Sequence, residues 1–274
     1  MTIKLIALDL DGTTLNSRKE LTPGNRQALC EAIDRGVFVV IATGRVQSAL
    51  PENVTELPGI QYAITSNGAS VVDLRTGRPI YKNCIDPEAV EYMISVLRQY
   101  DFMMEVFVGG HAYVEQRIYD NIREEGFTAL HTQYILETRE PLAGLLDFAL
   151  AHRDSIENVN VNFRNQADRS RMREVLAELP HLTLTTSFDH NLELGGETTS
   201  KADALSHLCD LLGVRREEIM ACGDSPNDGA MLLAAGLPVA MGNGKEEIKA
   251  MANYVTGTND EDGVAQAVRK FVLK

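Results

Sequence analysis

The sequence is poor in three things. No window in its 274 residues approaches the roughly 20 apolar side chains that a bilayer-spanning helix needs, so no membrane partner is expected. Cysteine is scarce: Cys30, Cys84, Cys209 and Cys222 lie far apart and form no paired spacing such as C-x-x-C. Neither a disulfide framework nor a thiolate metal site is expected from them, and they read as reduced. Positive charge is short as well, with 26 Lys and Arg against 39 Asp and Glu and a formal net charge of -13. Affinity for nucleic acid comes largely from neutralising phosphates with Lys and Arg, so a broad nucleic-acid surface is excluded. Small anionic ligands stay open wherever positive charge is concentrated locally. The first residues also lack the basic segment, hydrophobic stretch and cleavage site of a signal peptide, which makes a cytoplasmic location the expectation.

What the chain does contain is alternation. Strand-like IKLIALDL, VFVVIATG and QYAITSNGA are separated by helix-like stretches such as GNRQALCEAIDRG. The last eighty or so residues repeat that style, with helix ADALSHLCDLLG, strand EIMACGD, helix GAMLLAAG and strand LPVAMG. This order predicts an α/β fold with a Rossmann-like parallel sheet. The middle differs. FMMEVFVGGHAYVE reads as a hairpin about Gly109-Gly110, and IENVNVNF and LTLTTSFDHNLEL alternate as half-buried strands. The expected organisation is a core made of residues 1–82 and 195–274, with an inserted α+β cap over 83–194.

Polar clusters follow the strand-like runs: Asp9 and Asp11, then Thr43-Gly44-Arg45, Ser66-Asn67-Gly68, and Asp224 to Asp228. Ligands of open parallel sheets bind beyond the carboxyl ends of the strands, so these clusters are expected to share a crevice. Side chains two apart on a strand point the same way, which aims Asp9 and Asp11 at one spot. Two carboxylates about 5 Å apart repel by about 3 kcal/mol at an effective dielectric near 20, and Asp224 and Asp228 add to that. An oxygen-rich set without His or Cys suits Mg²⁺.

Ser200-Lys201-Ala202-Asp203 has the spacing of a capping box and puts Lys201 in a first helical turn, where the helix dipole disfavours a cation unless an anion is near. Ser225-Pro226-Asn227-Asp228 reads as a second helix N-terminus. A divalent ion, a lysine and helix N-termini together describe a phosphate pocket. The six histidines show no metal spacing. Gly242-Asn243-Gly244 reads as a tight turn, and Asn259 to Asp262 as a solvated acidic loop.

Asp9-Leu10-Asp11-Gly12-Thr13, Thr43-Gly44-Arg45, Lys201 and Gly223-Asp224-Ser225-Pro226-Asn227-Asp228 resemble, in order and spacing, the four motifs of the haloacid dehalogenase superfamily. The large insert between the second and third motifs, with Met241-Gly242-Asn243 and Asn259 to Gly263, is similar to its Cof-type sugar phosphatase branch. Ala202 stands where the family often has Gly. The resemblance implies that Asp9 is the nucleophile, forming an aspartyl phosphate, and that Asp11 is the acid and base. It implies that Asp9, Asp11 (by its carbonyl) and Asp224 hold Mg²⁺, with Asp228 in support. Thr43, Lys201, Asn227 and the backbone of Leu10 and Gly44 would bind the phosphoryl group.

Substrate contacts are expected from Arg45 and Asn67 in the core and from Asn162, Arg164 or His190 in the cap. The expected activity is hydrolysis of a small phosphorylated metabolite, a sugar phosphate first among them. A phosphomutase of the same superfamily and a non-enzymatic phospho-accepting regulator are the alternatives. Oligomeric state leaves no trace in the pattern.

Overall fold

The computed structural model describes residues 2–274. In chain order the first strands are β1 (Leu5–Leu8), β2 (Phe38–Ala42), β3 (Tyr62–Thr65), β4 (Ser70–Asp73) and β5 (Arg78–Lys82). Next come β6 (Met103–Val108), β7 (His111–Glu115), β8 (Glu140–Leu142), β9 (Ile156–Asn162), β10 (Leu182–Thr185) and β11 (Asn191–Gly196). The last are β12 (Ile219–Gly223), β13 (Leu237–Ala240) and β14 (Tyr254–Val255).

The chain divides into two compact units. One comprises the chain up to Arg45, Leu50–Lys82 and Ser200–Lys274; the other comprises Val46–Ala49 and Asn83–Thr199. The first is built on one sheet of order β14-β13-β12-β1-β2-β3-β4-β5. From β14 to β3 the pairs are parallel, whereas β4 and β5 are antiparallel. Alternate side chains send Ile6, Leu8, Val39 and Ile41 to one face, under Ala28, Leu29 and Ala32 of the helix Pro23–Asp34 and Val264 and Val268 of the helix Gly263–Phe271. Leu5, Ala7, Val40 and Ile64 go to the other, with Leu205 and Leu208 of the helix Lys201–Leu212. Burial on both faces is why these strands are near-continuously apolar. The order runs outward from β1 in both directions, and such a switch point opens a crevice at the carboxyl ends of the central strands.

The second unit carries a sheet of order β10-β11-β9-β6-β7-β8, antiparallel except for the β7–β8 pair. Met104, Val106, Val159, Val161, Leu192 and Leu194 form its apolar face, packed with Val90, Met93 and Ile94 of the helix Pro87–Leu97 and Met172 and Leu176 of the helix Gln166–Ala177.

The parallel sheet expected of the core is present, and β4 and β5 add an antiparallel edge to it; the Leu74–Gly77 turn, held by Gly77 N–H to Asp73 O at 2.8 Å, folds the chain back. Two readings of the sequence need correction. β9 is buried along its whole length instead of half-buried, because Asn158, Asn160 and Asn162 alternate with the valines yet are enclosed. The expected return to the core at residue 195 falls inside β11, where Gly195 and Gly196 still pair with Thr183 and Leu182. Among the described residues no helix is long and apolar enough to cross a membrane.

Candidate active site

β1 ends at Leu8, and the Asp9 N–H continues the ladder by donating to Cys222 O at 3.1 Å. The chain then turns tightly: the N–H groups of Thr13, Thr14 and Leu15 all converge on Leu10 O. Gly12 makes this possible. Its φ is +86°, and a Cβ there would lie 2.6 Å from Asp224 Oδ2; a side chain would be strained by conformation and by contact alike. Two hydroxyls fix the turn to its surroundings: Thr14 Oγ1 donates to Asp9 O at 2.5 Å and Thr13 Oγ1 to Asp224 Oδ1 at 2.9 Å.

Asp224 follows β12 in the same way. The capping box foreseen at Ser225 to Asp228 is formed, and Asp228 Oδ2 accepts the N–H groups of Asp224 and Ser225 at 2.9 and 3.0 Å. Lys201 opens its helix, capped by Ser200, whose hydroxyl accepts from Asp203 N–H at 3.0 Å. Loop and helix fit closely here, since a Cβ on Gly68 (φ +104°) would lie 2.0 Å from Ser200 O. The Lys201 ammonium is fully buried and donates to Asp9 Oδ1 and Asp228 Oδ1, both at 2.7 Å. Asp9, Asp224 and Asp228 each bring a carboxylate oxygen to within 4.8 Å of the others.

Three carboxylates thus face one ammonium. Burial pushes the Asp9 carboxyl well up, and Asp228 and Asp224 add to this against the pull of Lys201. Asp224 is pushed up to about 6, by burial first and then by Asp228. Burial alone would depress Lys201, but Asp228 and Asp9 outweigh it and hold the ammonium above the usual lysine range. The set is short of positive charge by about two, and all its donors are oxygen, which fits a hard divalent cation such as Mg²⁺.

The carboxylate of Asp11 lies outside this cluster. Its Oδ2 accepts from Arg45 Nε at 2.7 Å, and its Oδ1 from Arg45 Nη2 at 2.8 Å and Lys19 Nζ at 2.6 Å. Burial would raise its pKa, but the bonds and charges of Arg45 and Lys19 prevail and hold it well below the usual carboxylate range.

Thr43 is buried, with Oγ1 accepting from Arg45 N–H at 3.1 Å. Asn67, at φ +56°, donates its N–H to Thr43 O and accepts from Asn227 Nδ2 at 3.0 Å through Oδ1. A Cβ on Gly44 would lie 3.1 Å from that same Asn67 Oδ1. The structure therefore gathers Asp9, Leu10, Asp11, Thr43, Gly44, Arg45, Asn67, Lys201, Asn227, Asp224 and Asp228 at the strand ends of one unit. Asn162, Arg164 and His190 belong to the other. There Asn162 Nδ2 donates to Glu105 Oε1 at 2.7 Å, Arg164 pairs with Glu125 at 2.6 Å, and His190 stacks on Phe188.

Sequence reasoning missed Lys19, whose only signal was a polar stretch, Asn16 to Glu20. The acidic run is exposed at Asp260 and Glu261, as a solvated loop should be, but it also makes contacts that its pattern did not show. Asn259 is buried and donates Nδ2 to Leu15 O at 2.9 Å, while Asp260 Oδ1 accepts Ser17 N–H at 2.8 Å and Asp262 accepts the Thr22 hydroxyl. The run straps the loop after Asp11, because buried backbone groups there need partners.

A family model described as haloacid dehalogenase-like hydrolase matches residues 6–268. The chain belongs to that family. It is 34% identical over 287 residues to the phosphatase YwpJ of Bacillus subtilis, covering 98% of this chain and 100% of that protein. To the 5-amino-6-(5-phospho-D-ribitylamino)uracil phosphatase YcsE of Bacillus subtilis it is 32% identical, covering 99% and 96%. Its fold matches the solved structure of BT4131, a subclass IIB sugar phosphatase, with a TM-score of 0.83 at 26% identity and 98% coverage of each chain. These likenesses set the chain in the Cof-type branch, as its motifs imply, and make it a phosphoric monoester hydrolase. The reading as a non-enzymatic regulator is thereby set aside.

Proposed function

We propose that the protein is a Mg²⁺-dependent phosphatase of small polyol or sugar phosphates that works through an aspartyl phosphate on Asp9. The observation that carries this is the group of three carboxylates, Asp9 and Asp228 buried and Asp224 partly so, with Lys201 at 2.7 Å from two of them. Asp9 and Asp224, with the carbonyl of Asp11, would hold the ion, and Asp228 would steady both the Asp224 backbone and Lys201. When bound, the ion supplies the missing positive charge and offsets that of the phosphoryl oxygens.

The rest falls to side chains. An oxygen of Asp9 attacks phosphorus, the bond to the leaving oxygen breaks, and Asp11, which takes up a proton as the bound phosphate offsets the charge of Arg45 and Lys19, gives that alkoxide its proton. Asp11 then takes a proton from water, whose oxygen attacks phosphorus and releases free phosphate and the Asp9 carboxylate. Thr43, Asn227, Lys201 and the N–H groups of Leu10 and Gly44 bind the phosphoryl oxygens. Arg45 and Asn67 contact the substrate from the core. We assign to the second unit the role of a cap that selects the leaving group, with Asn162, Arg164 and His190 as candidate contacts. The named activities of the ribitylaminouracil phosphatase and of the sugar phosphatase favour a hydroxyl-rich leaving group.

The test is a phosphate-release screen over sugar and polyol phosphates with Mg²⁺ or with a chelator, beside Asp9→Asn. Mg²⁺-dependent release lost in the variant is expected. No release from any member sinks the proposal, and an isomer in place of free phosphate by NMR makes the enzyme a phosphomutase.

A further inference from the structure

We propose that Lys19 is a positioning residue for Asp11: a loop shaped around Asn16 delivers its ammonium to the carboxylate and sets, with Arg45, the pose from which Asp11 serves the leaving group. This rests on the reading of Asp11 as the acid.

The loop is built for that delivery. Leu15 and Leu21 bridge antiparallel at its base. Asn16 N–H donates to Glu20 O at 3.0 Å and Lys19 N–H to Asn16 O at 2.9 Å, while Asn16 Oδ1 accepts the N–H groups of Arg18 and Glu20, both at 2.9 Å. One side chain thus closes the turn on itself. Asp260 pins its outer edge at Ser17 N–H, and Asn259 pins its root at Leu15 O.

Inside this frame Lys19 adopts φ +64°, a left-handed conformation that costs an L-residue with a long side chain and that no glycine relieves here. The outcome is a contact of 2.6 Å to Asp11 Oδ1. An ion pair whose lysine is 35% exposed adds little to stability, so its weight falls on where Asp11 points. Arg45 grips both oxygens from the loop after β2, and Lys19 reaches one of them from a different loop. Together they keep the carboxylate out of the Asp9, Asp224 and Asp228 cluster, where a fourth acid would compete for the ion. Without Lys19, Asp11 is held from one loop only, and its approach to the leaving oxygen is no longer set.

The experiment follows leaving-group release in the first turnover. The substrates are p-nitrophenyl phosphate, whose phenolate departs without a proton, and the best alkyl phosphate from the screen, whose alkoxide needs one. Lys19→Met is expected to slow alkyl release roughly ten-fold, part of the 10²–10⁴ that a positioned acid contributes. It should slow p-nitrophenol release no more than about two-fold, and Lys19→Arg should restore most of the loss.

Asp11→Asn separates the two ideas. If it discriminates strongly between the substrates while Lys19→Met slows both equally, or neither, the role of Lys19 is overturned and that of Asp11 stands. If Asp11→Asn fails to discriminate, the reading of Asp11 fails and takes this inference with it. Lys19→Gln repeats the measurement should the methionine variant not fold.

Discussion

Each unit buries a cluster of charge, and the two clusters are balanced differently. In the second unit Glu105 Oε2 is bound by Arg139 Nε, while Oε1 accepts from Asn160 Nδ2 at 2.8 Å and Asn162 Nδ2 at 2.7 Å. Burial would raise the Glu105 carboxyl, but Arg139 outweighs it and the pKa falls below the ordinary range. One negative charge meets one positive charge, and both oxygens have donors. In the first unit one ammonium serves three acids, and Asp9 and Asp224 move the other way. A buried pair that closes on itself holds a structure together; one left short of positive charge is completed by something that arrives. The same distinction separates Asp11, fully gripped by Arg45 and Lys19, from Asp9 two residues earlier.

The largest effect that tests this contrast is on turnover. Asp9→Asn removes the nucleophile, and phosphate release should fall by at least about 10⁴-fold, as when the nucleophile of a covalent hydrolase is removed. The metal-free variant should nevertheless melt no lower than wild type, because one of the crowded carboxylates is gone. Lower melting would show that the cluster is balanced as it stands, and the contrast would break.

Next in size is the closed pair. Glu105→Ala leaves Arg139 buried without its carboxylate, a loss expected to cost about 3–5 kcal/mol. Denaturant unfolding measures it. A loss under about 1 kcal/mol would make the second unit's cluster as dispensable to stability as the first unit's acids.

A third prediction concerns pH. Asp224 has a folded pKa of about 6 against 3.8 for the free group. Between those values the folded state holds a proton that the unfolded state has lost. Stability contributed by this group is therefore full below about pH 4, declines as pH rises toward 6, and is flat above. The decline is on the order of 2–3 kcal/mol. Other carboxylates, Asp11 and Glu218 among them, are shifted downward and slope the opposite way, so the measurement is wild type minus Asp224→Asn in metal-free melts from pH 4 to 7. Saturating Mg²⁺ should remove the difference in slope, since a bound cation keeps the carboxylate ionised. A difference that Mg²⁺ leaves untouched would count against Asp224 as a ligand.

Which of these features the sequence announces follows from what made them. Asp9, Asp224 and Lys201 are legible because each ends a buried strand or opens a capped helix, and position along the chain alone carries them to one rim. The Ser225 to Asp228 box is legible for the same reason: its spacing is its geometry. The β4–β5 hairpin is not, because half of it lies on the exposed edge, with Arg78, Pro79 and Ile80 uncovered, and its pattern is that of a loop. Asn158, Asn160 and Asn162 mislead because period-two polarity signals a solvated face, whereas here all three are enclosed and Asn160 and Asn162 donate to the buried Glu105 of β6. Lys19 is invisible because a left-handed lysine has no signature. Its conformation is imposed by Asn16 next to it and by Asp260 from the far end of the chain.

The smallest expected effect sharpens the contrast where the two acids of motif one diverge. Lys19→Met removes one of two cations from Asp11, yet Arg45 still binds both carboxylate oxygens. The lysine is partly in water, where an ion pair returns less than about 1 kcal/mol. Its substitution also leaves the loop's own bonds at Asn16 intact. Global stability by denaturant unfolding should therefore change by about 0.5 kcal/mol or less, while alkyl leaving-group release slows. A large loss of stability would mean that the ion pair holds the loop and not the acid, and Lys19 would then belong with Arg139 among the residues that keep the fold closed.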